Sequence, residues 1–261
     1  MNTAIIPTAL IGFGTGGRYF HAPLLEAVKG FELRYILTRS EANREHAQKY
    51  FPQAVLVADL ETILADAQIR FVVIATPNHT HFPLAKSVLE AGKNVVLDKP
   101  FTVQADEAEE LTRLASEKNL LLTVFHNRRW DGDFLYLKEK IQSGALGKLK
   151  RFHSNFHRYR KTLRENSWKE QTLPGSGLLF DLGSHLIDQS LLLFGLPERL
   201  HAFLDTQRPG SQATDFFELQ LFYAHGLLVT LSAGMLQRPS FHRFEAVGTA
   251  ATLAISGFDH Q

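Results

Sequence analysis

LIGFGTGGRYFHAPLL, residues 10–25, decides how the fold is read. Its core, Gly12-Phe13-Gly14-Thr15-Gly16-Gly17, satisfies G-x-G-x-x-G. A short apolar run, Ala9-Leu10-Ile11, precedes it and a helix-compatible stretch follows. That order carries more than the glycines do. A buried parallel strand that turns sharply into a helix offers unpaired backbone N–H groups and the positive end of the helix dipole to a pyrophosphate. In that geometry Gly12 permits the tight turn, Gly14 the approach of the phosphates and Gly17 the packing of helix on strand, with Phe13, Thr15 and Gly16 completing the cradle. The motif alone also fits a loop with no ligand; the rest of the chain is what favours a dinucleotide.

Composition narrows the class. The 261 residues suffice for one large or two ordinary domains, and 44% hydrophobic with 21% charged residues is the profile of a folded chain. A net charge of +1 makes no electrostatic case for nucleic acid or an acidic membrane. The chain has no cysteine, which excludes disulfides, thiolate zinc sites and a cysteine nucleophile, and fits a cytoplasmic protein. The opening MNTAIIPTALIGFG has no basic n-region, and Pro7, Thr8 and glycine interrupt its apolar run, so neither a signal peptide nor a membrane span is expected.

Outward from the loop, the first helix is expected to run to about Lys29 and stop at Gly30, with Phe31–Leu37 as a second strand. At that strand's end stands Thr38-Arg39-Ser40, about 20 residues past the loop, where a site for NAD carries Asp or Glu on the adenosine ribose. An acid there repels a 2′-phosphate, whereas Arg39 pairs with it and Ser40 adds a hydrogen bond, so NADP is expected in preference to NAD. The other reading of Arg39 is a solvated turn residue. Glu41–Tyr50 reads as a polar helix, followed by a short strand and helix in AVLVADLETILAD. Phe71–Ala75 is a buried strand, and the turn Thr76-Pro77-Asn78-His79-Thr80-His81 at its carboxyl end should face the same crevice as the glycine loop. Thr76, Pro77, Asn78 and His81 are therefore cofactor-binding candidates. His79 and His81 alternate, but with no carboxylate cluster beside them a turn or N-cap role is preferred to a metal. A helix from Pro83 to Ala91 leads to another buried strand in Asn94–Phe101, whose tip carries Asp98-Lys99-Pro100. A helix over Asp106–Lys118 and a strand over Leu120–Phe125 close a nucleotide domain of residues 1–125.

Residues 126–261 read as a second, substrate-binding domain. His126-Asn127-Arg128-Arg129-Trp130-Asp131 either contacts substrate hydroxyls, through Asn127 among others, or forms salt bridges. A helix from Asp133 to Gln142 and a strand with one wet face over Lys148–Tyr159 follow, and then a polar loop over 160–175. In GSGLLFDLGSHLIDQ, Asp181, His185 and Asp188 fall on one helical face, a polar stripe on an apolar helix that points to a lined cavity. HAFLDTQ, DFFELQLFY, GLLVTLSAGML, HRFEAVGT and ATLAIS read as mostly antiparallel strands.

The glycine loop, ATPNHTHFPLA, the Asp-Lys-Pro tripeptide after AGKNVVL and the glycine-led D-x-x-x-H at Asp181 and His185 together resemble the Gfo/Idh/MocA family of NAD(P)-dependent oxidoreductases. The resemblance covers essentially the whole chain. VFHNRRWDGDF, PGSGLLFDLGSHLIDQ and LFGLP are most similar to its NADP-dependent scyllo-inositol dehydrogenase type. It implies an α/β fold: a doubly wound parallel Rossmann sheet plus an α+β domain with a large open sheet, one face of which makes a homodimer contact. It implies that Lys99 lies where nicotinamide and substrate meet, with a cis bond before Pro100. It implies His185 as general base at the carbinol and Asp181 as a ligand of a substrate hydroxyl. Histidine suits that work because its pKa lies near neutrality, and a partly desolvated lysine can stabilise a developing alkoxide. The implied substrate is a cyclic polyol or sugar, the implied metal none. Rival readings are a dinucleotide sensor without catalysis and an NAD-dependent glycoside-processing enzyme of the same fold. Members of the family continue past the point where this chain stops, Gln261, so the resemblance also implies an incomplete C-terminal sheet.

Overall fold

The computed structural model describes residues 5–165, 167–238 and 242–256. The chain divides into two compact units, Met1–Phe125 and His126–Gln261.

In the first unit six parallel strands run in the order β3-β2-β1-β4-β5-β6: β1 Ile6–Ile11, β2 Phe31–Leu37, β3 Val55–Val57, β4 Phe71–Ile74, β5 Asn94–Asp98 and β6 Leu122–Phe125. The order reverses at β1 and β4, and the crevice beyond their carboxyl ends is where doubly wound sheets take ligands. Continuous apolar runs are what strands covered on both faces require. Leu10, Ile36 and Val73 point to one face with Ala22, Leu25, Ala47 and Phe51, while Ala9, Ile11, Val72 and Ile74 point to the other with Ala85, Val88, Leu89 and Leu111. Helices α1 (Ala22–Ala27), α2 (Glu41–Tyr50), α3 (Glu61–Ala65), α4 (His81–Glu90) and α5 (Ala105–Glu117) supply those layers. A capping box of Gln104 and Glu107 starts α5.

Several boundaries differ from the sequence-based expectation. The helix after the glycine loop is a π-helical turn over Gly17–His21 followed by α1, which ends at Ala27. Helix α4 begins at His81 rather than Pro83, because proline is tolerated in a first turn, where its missing N–H would have no partner. Strand β6 begins at Leu122, two positions later than expected.

In the second unit α6 (Gly132–Gln142) and α7 (Ser184–Phe194) cover one face of a six-stranded sheet ordered β12-β11-β7-β10-β9-β8. Its strands are β7 Leu149–His157, β8 Arg199–Asp205, β9 Phe216–Phe222, β10 Leu228–Gly234, β11 Phe244–Gly248 and β12 Thr252–Ile255. All neighbours are antiparallel except β7 and β10. Period-2 alternation sends Phe152, Phe156, Phe217, Leu219, Leu221, Val229, Leu231 and Phe244 into the core under the helices. The last five residues, 257–261, lie outside the described residues, as does the end of the chain singled out from sequence. Among the described residues no helix is long and apolar enough to cross a membrane.

Candidate functional site

In the first unit the glycine loop leaves β1 through Gly12, whose φ of +92° is one that L side chains rarely adopt. A Cβ on Gly17 would collide with the carbonyl oxygen of Gly12 and lie 3.6 Å from Leu10 Cδ2, so helix and strand touch here because glycine lets them. Gly14 differs: no atom comes within 4 Å of where its Cβ would stand. A loop that is packed at its two ends and open at its middle fits the pyrophosphate of a dinucleotide.

The tip of β5 closes on this loop. A Cβ on Gly16 would stand 2.6 Å from Asp98 Oδ2, so only glycine admits the carboxylate at that distance. Asp98 Oδ1 accepts the Lys99 backbone N–H at 2.7 Å, and Oδ2 lies 3.6 Å from Nε2 of His21, a ring that is 4% exposed and packs on Phe125 at 4.2 Å. Burial by itself pushes the Asp98 carboxyl up; the neighbouring His21 ring and Lys99 charge outweigh it and hold the group below the usual carboxylate range. Lys99 is half-buried at the start of a cis Lys99–Pro100 bond. No periodicity relates His21 to Asp98, and the pairing was not foreseen from sequence.

His81 stands at the start of α4. It is fully buried, with Nδ1 2.8 Å from the Pro100 carbonyl and Nε2 3.0 Å from that of Thr76. Both ring nitrogens face main chain, so His81 clamps the loops after β4 and β5 to each other. Thr76 Oγ1 and Thr80 Oγ1 share a hydrogen bond of 2.6 Å, and Asn78 is buried in the short 3₁₀ turn Asn78–Thr80 that Pro77 precedes. Arg39 and Ser40 are exposed at the end of β2, and Arg39 Nε donates to the Ala58 carbonyl at 3.4 Å. Among the described residues no cluster of His, Cys, Asp and Glu could hold a metal ion.

In the second unit the polar stripe resolves into separate partnerships. Asp181 lies in a π-helical turn, Leu179–Gly183, and α7 begins only at Ser184, so the wider turn breaks the single α-helical face expected for Asp181, His185 and Asp188. Gly183 lets that turn approach the sheet, since a Cβ there would stand 3.2 Å from the Phe217 ring. Asp188 takes a bidentate pair from Arg129 at 2.8 and 2.6 Å and lies 3.6 Å from His126. Arg128 donates to Asp131 at 2.9 Å. The His126–Asp131 cluster is thus largely salt-bridged, and Asn127 is half-buried where a 3₁₀ turn starts.

His185 is 4% exposed. One turn along α7, the buried Gln189 accepts from Arg243 at 3.0 Å and donates to the Arg128 carbonyl at 2.8 Å. Arg243 in turn donates to Ser154 Oγ at 2.6 Å and lies 3.6 Å from the Phe156 ring centroid. These contacts fix the rotation of α7 and therefore where His185 stands. Asp181 meets Lys169 Nζ at 2.7 Å, a residue of the 160–175 loop that sequence reading passed over.

Comparison with known proteins agrees with this architecture. A family model described as the oxidoreductase family, NAD-binding Rossmann fold, matches residues 6–126, and one described as the GFO/IDH/MocA C-terminal domain matches residues 134–254. An uncharacterized oxidoreductase of Escherichia coli (strain K12), YdgJ, is 42% identical over 98% of this chain and 72% of its own length. The scyllo-inositol 2-dehydrogenase (NADP(+)) IolW of Bacillus subtilis (strain 168) is 36% identical over 98% of this chain and 70% of its own. The crystal structure of an NAD-binding protein from Listeria innocua is similar at a TM-score of 0.90 and 29% identity, covering 98% of this chain and 74% of that one.

Proposed function

The chain belongs to the Gfo/Idh/MocA family of oxidoreductases, and from that premise we propose that it transfers hydride between NADP and a secondary alcohol of a cyclic polyol or sugar. The observation that supports this most is the closeness of the Asp98-Lys99 tip to Gly16 of the dinucleotide loop. In this reading the ammonium of Lys99, the residue after Asp98, meets an alcohol oxygen that gains charge as hydride leaves.

In this reading Gly12, Phe13, Gly14, Thr15, Gly16 and Gly17 hold the pyrophosphate, Arg39 and Ser40 the 2′-phosphate, and Thr76, Pro77 and Asn78 line the crevice. The nicotinamide, when bound, supplies the hydride acceptor or donor. His185 takes the proton from the carbinol oxygen, and Lys99 holds that oxygen as its charge builds. Asp181 accepts a hydrogen bond from a neighbouring hydroxyl and fixes the ring. An inositol-like substrate is supported by the name of the Bacillus subtilis relative, and NADP by the same name together with Arg39.

The test is a panel of inositols and aldoses assayed with NADP and NAD in parallel, on the wild type and on Lys99→Ala and His185→Ala. Each substitution is expected to lower kcat by at least about a hundredfold. His185→Ala should leave NADPH binding intact. Turnover undiminished in both variants would overturn the assignment.

A further inference from the structure

The 160–175 loop carries a pair of adjacent side chains that do different work. Glu170 turns inward. Its Oε1 accepts from Arg160 at 3.0 Å and its Oε2 from Arg208, a guanidinium that is 4% exposed and also donates to Asp215 at 2.8 Å. Buried ion clusters of this kind add little net stability but tolerate few alternative geometries, because breaking one leaves an uncompensated charge. The short 3₁₀ turn Trp168–Glu170 is pinned by that cluster. Lys169, in the middle of the turn, is thereby delivered to Asp181, with Nζ 2.7 Å from Oδ1. The two side chains are 39% and 28% exposed, so their pair lies at the edge of solvent and contributes little to holding the fold.

We propose that Lys169 is a positioning and specificity-determining residue for the substrate site: it fixes the Asp181 carboxylate and cancels its charge, so that the site takes neutral polyhydroxyl substrates and discriminates against ammonium-bearing ones. This rests on the reading of Asp181 as a ligand of a substrate hydroxyl. A carboxylate standing alone beside a polyol has two faults. It rotates, losing the orientation of the ring it should fix, and it attracts cations, so that an aminocyclitol or amino sugar competes with the neutral substrate. A lysine at charge-assisted hydrogen-bond distance removes both at once. Its own positive charge also repels the ammonium of a wrong substrate, so discrimination has an attractive and a repulsive part.

The experiment compares wild type with K169M, K169Q and K169R on a neutral cyclitol and on the corresponding aminocyclitol. NADPH fluorescence titration and circular dichroism report the integrity of the nucleotide unit and the fold. K169M and K169Q are expected to bind NADPH as wild type does. Their KM for the neutral cyclitol should rise about tenfold, the size of one charged hydrogen bond, with a smaller change in kcat. The ratio of kcat/KM for aminocyclitol over cyclitol should rise in both, and K169R should restore the neutral preference. Wild-type KM and an unchanged ratio in K169M and K169Q overturn the proposal, as does a K169R that behaves like K169M. A wild type that turns over no polyol or sugar with either cofactor fails differently: it overturns the reading of the site itself.

Discussion

Two single-methyl substitutions in one loop should have opposite consequences. At Gly17 an added Cβ runs into the carbonyl oxygen of Gly12, lies 3.1 Å from its carbonyl carbon and is backed by Leu10. Those obstacles are main chain and a fully buried core side chain, so the π-helical turn has to lift away from β1. Overpacking of that kind costs about 1–3 kcal/mol, offset by less than 1 kcal/mol from the better helix propensity of alanine. A net loss of about 1–2 kcal/mol lowers the melting temperature of a unit this size by roughly 3–8 °C. At Gly14 the Cβ meets nothing within 4 Å. Gly14→Ala should therefore change stability by less than about 0.5 kcal/mol. Its methyl instead occupies the surface to which the pyrophosphate must come, and a loss of about 2 kcal/mol in binding corresponds to roughly a thirtyfold weaker affinity. Thermal unfolding followed by circular dichroism and NADPH fluorescence titration measure the two effects separately. A Gly14→Ala protein that binds NADPH like wild type refutes the placement of the pyrophosphate. One that melts as early as Gly17→Ala refutes the packing argument.

Further outcomes follow from the rest of the chain. Arg39→Asp should weaken NADP about tenfold or more while leaving NAD nearly unchanged, because it replaces a phosphate partner by a like charge; equal effects in parallel titrations would refute the 2′-phosphate role. His157, stacked on Phe216 with Nε2 2.8 Å from Ser232 Oγ, is pushed by burial from 6.5 to about 4. Over that interval the unfolded chain takes up a proton that the native ring refuses, so stability is full above pH 6.5 and is lost as pH falls toward 4. Chemical denaturation across this range should show a shallower pH slope for His157→Gln than for wild type, and identical slopes would remove His157 as the source.

The parallel half of the molecule announces itself in the chain because its strands are buried on both faces and punctuated by glycine. Phe31–Leu37 and Glu41–Tyr50 fall where apolar runs and helix periodicity place them. The errors cluster at turns whose geometry is set from outside the segment. Helix α4 starts at His81, whose ring is held from outside the segment by the Pro100 carbonyl, and Asp181 belongs to a π-helical turn whose approach to Phe217 no local pattern encodes. The second sheet was legible as strands but not as pairings: the parallel match of β7 with β10 joins segments with a whole helix and two strands intervening.

The same distinction explains which candidate site residues a reader of the sequence finds. Gly14, Lys99 and His185 sit in short motifs whose neighbours repeat the signal, whereas His21, Lys169 and Gln189 act through partners that no short motif joins to them. Each of these three touches a residue that sequence singled out, or holds the element that carries it. His21 lies beside Asp98 at the Lys99 tip, Lys169 fixes Asp181, and Gln189 locks the helix of His185. In the proposed reading a motif names the group that meets substrate because chemistry restricts that residue type. The group that aims it is restricted only by geometry, which different residues from different elements can satisfy. Substitutions at the aiming positions are thus expected to alter KM and selectivity more than the identity of the reaction, and Lys169 is the position where that expectation is open to the most direct measurement.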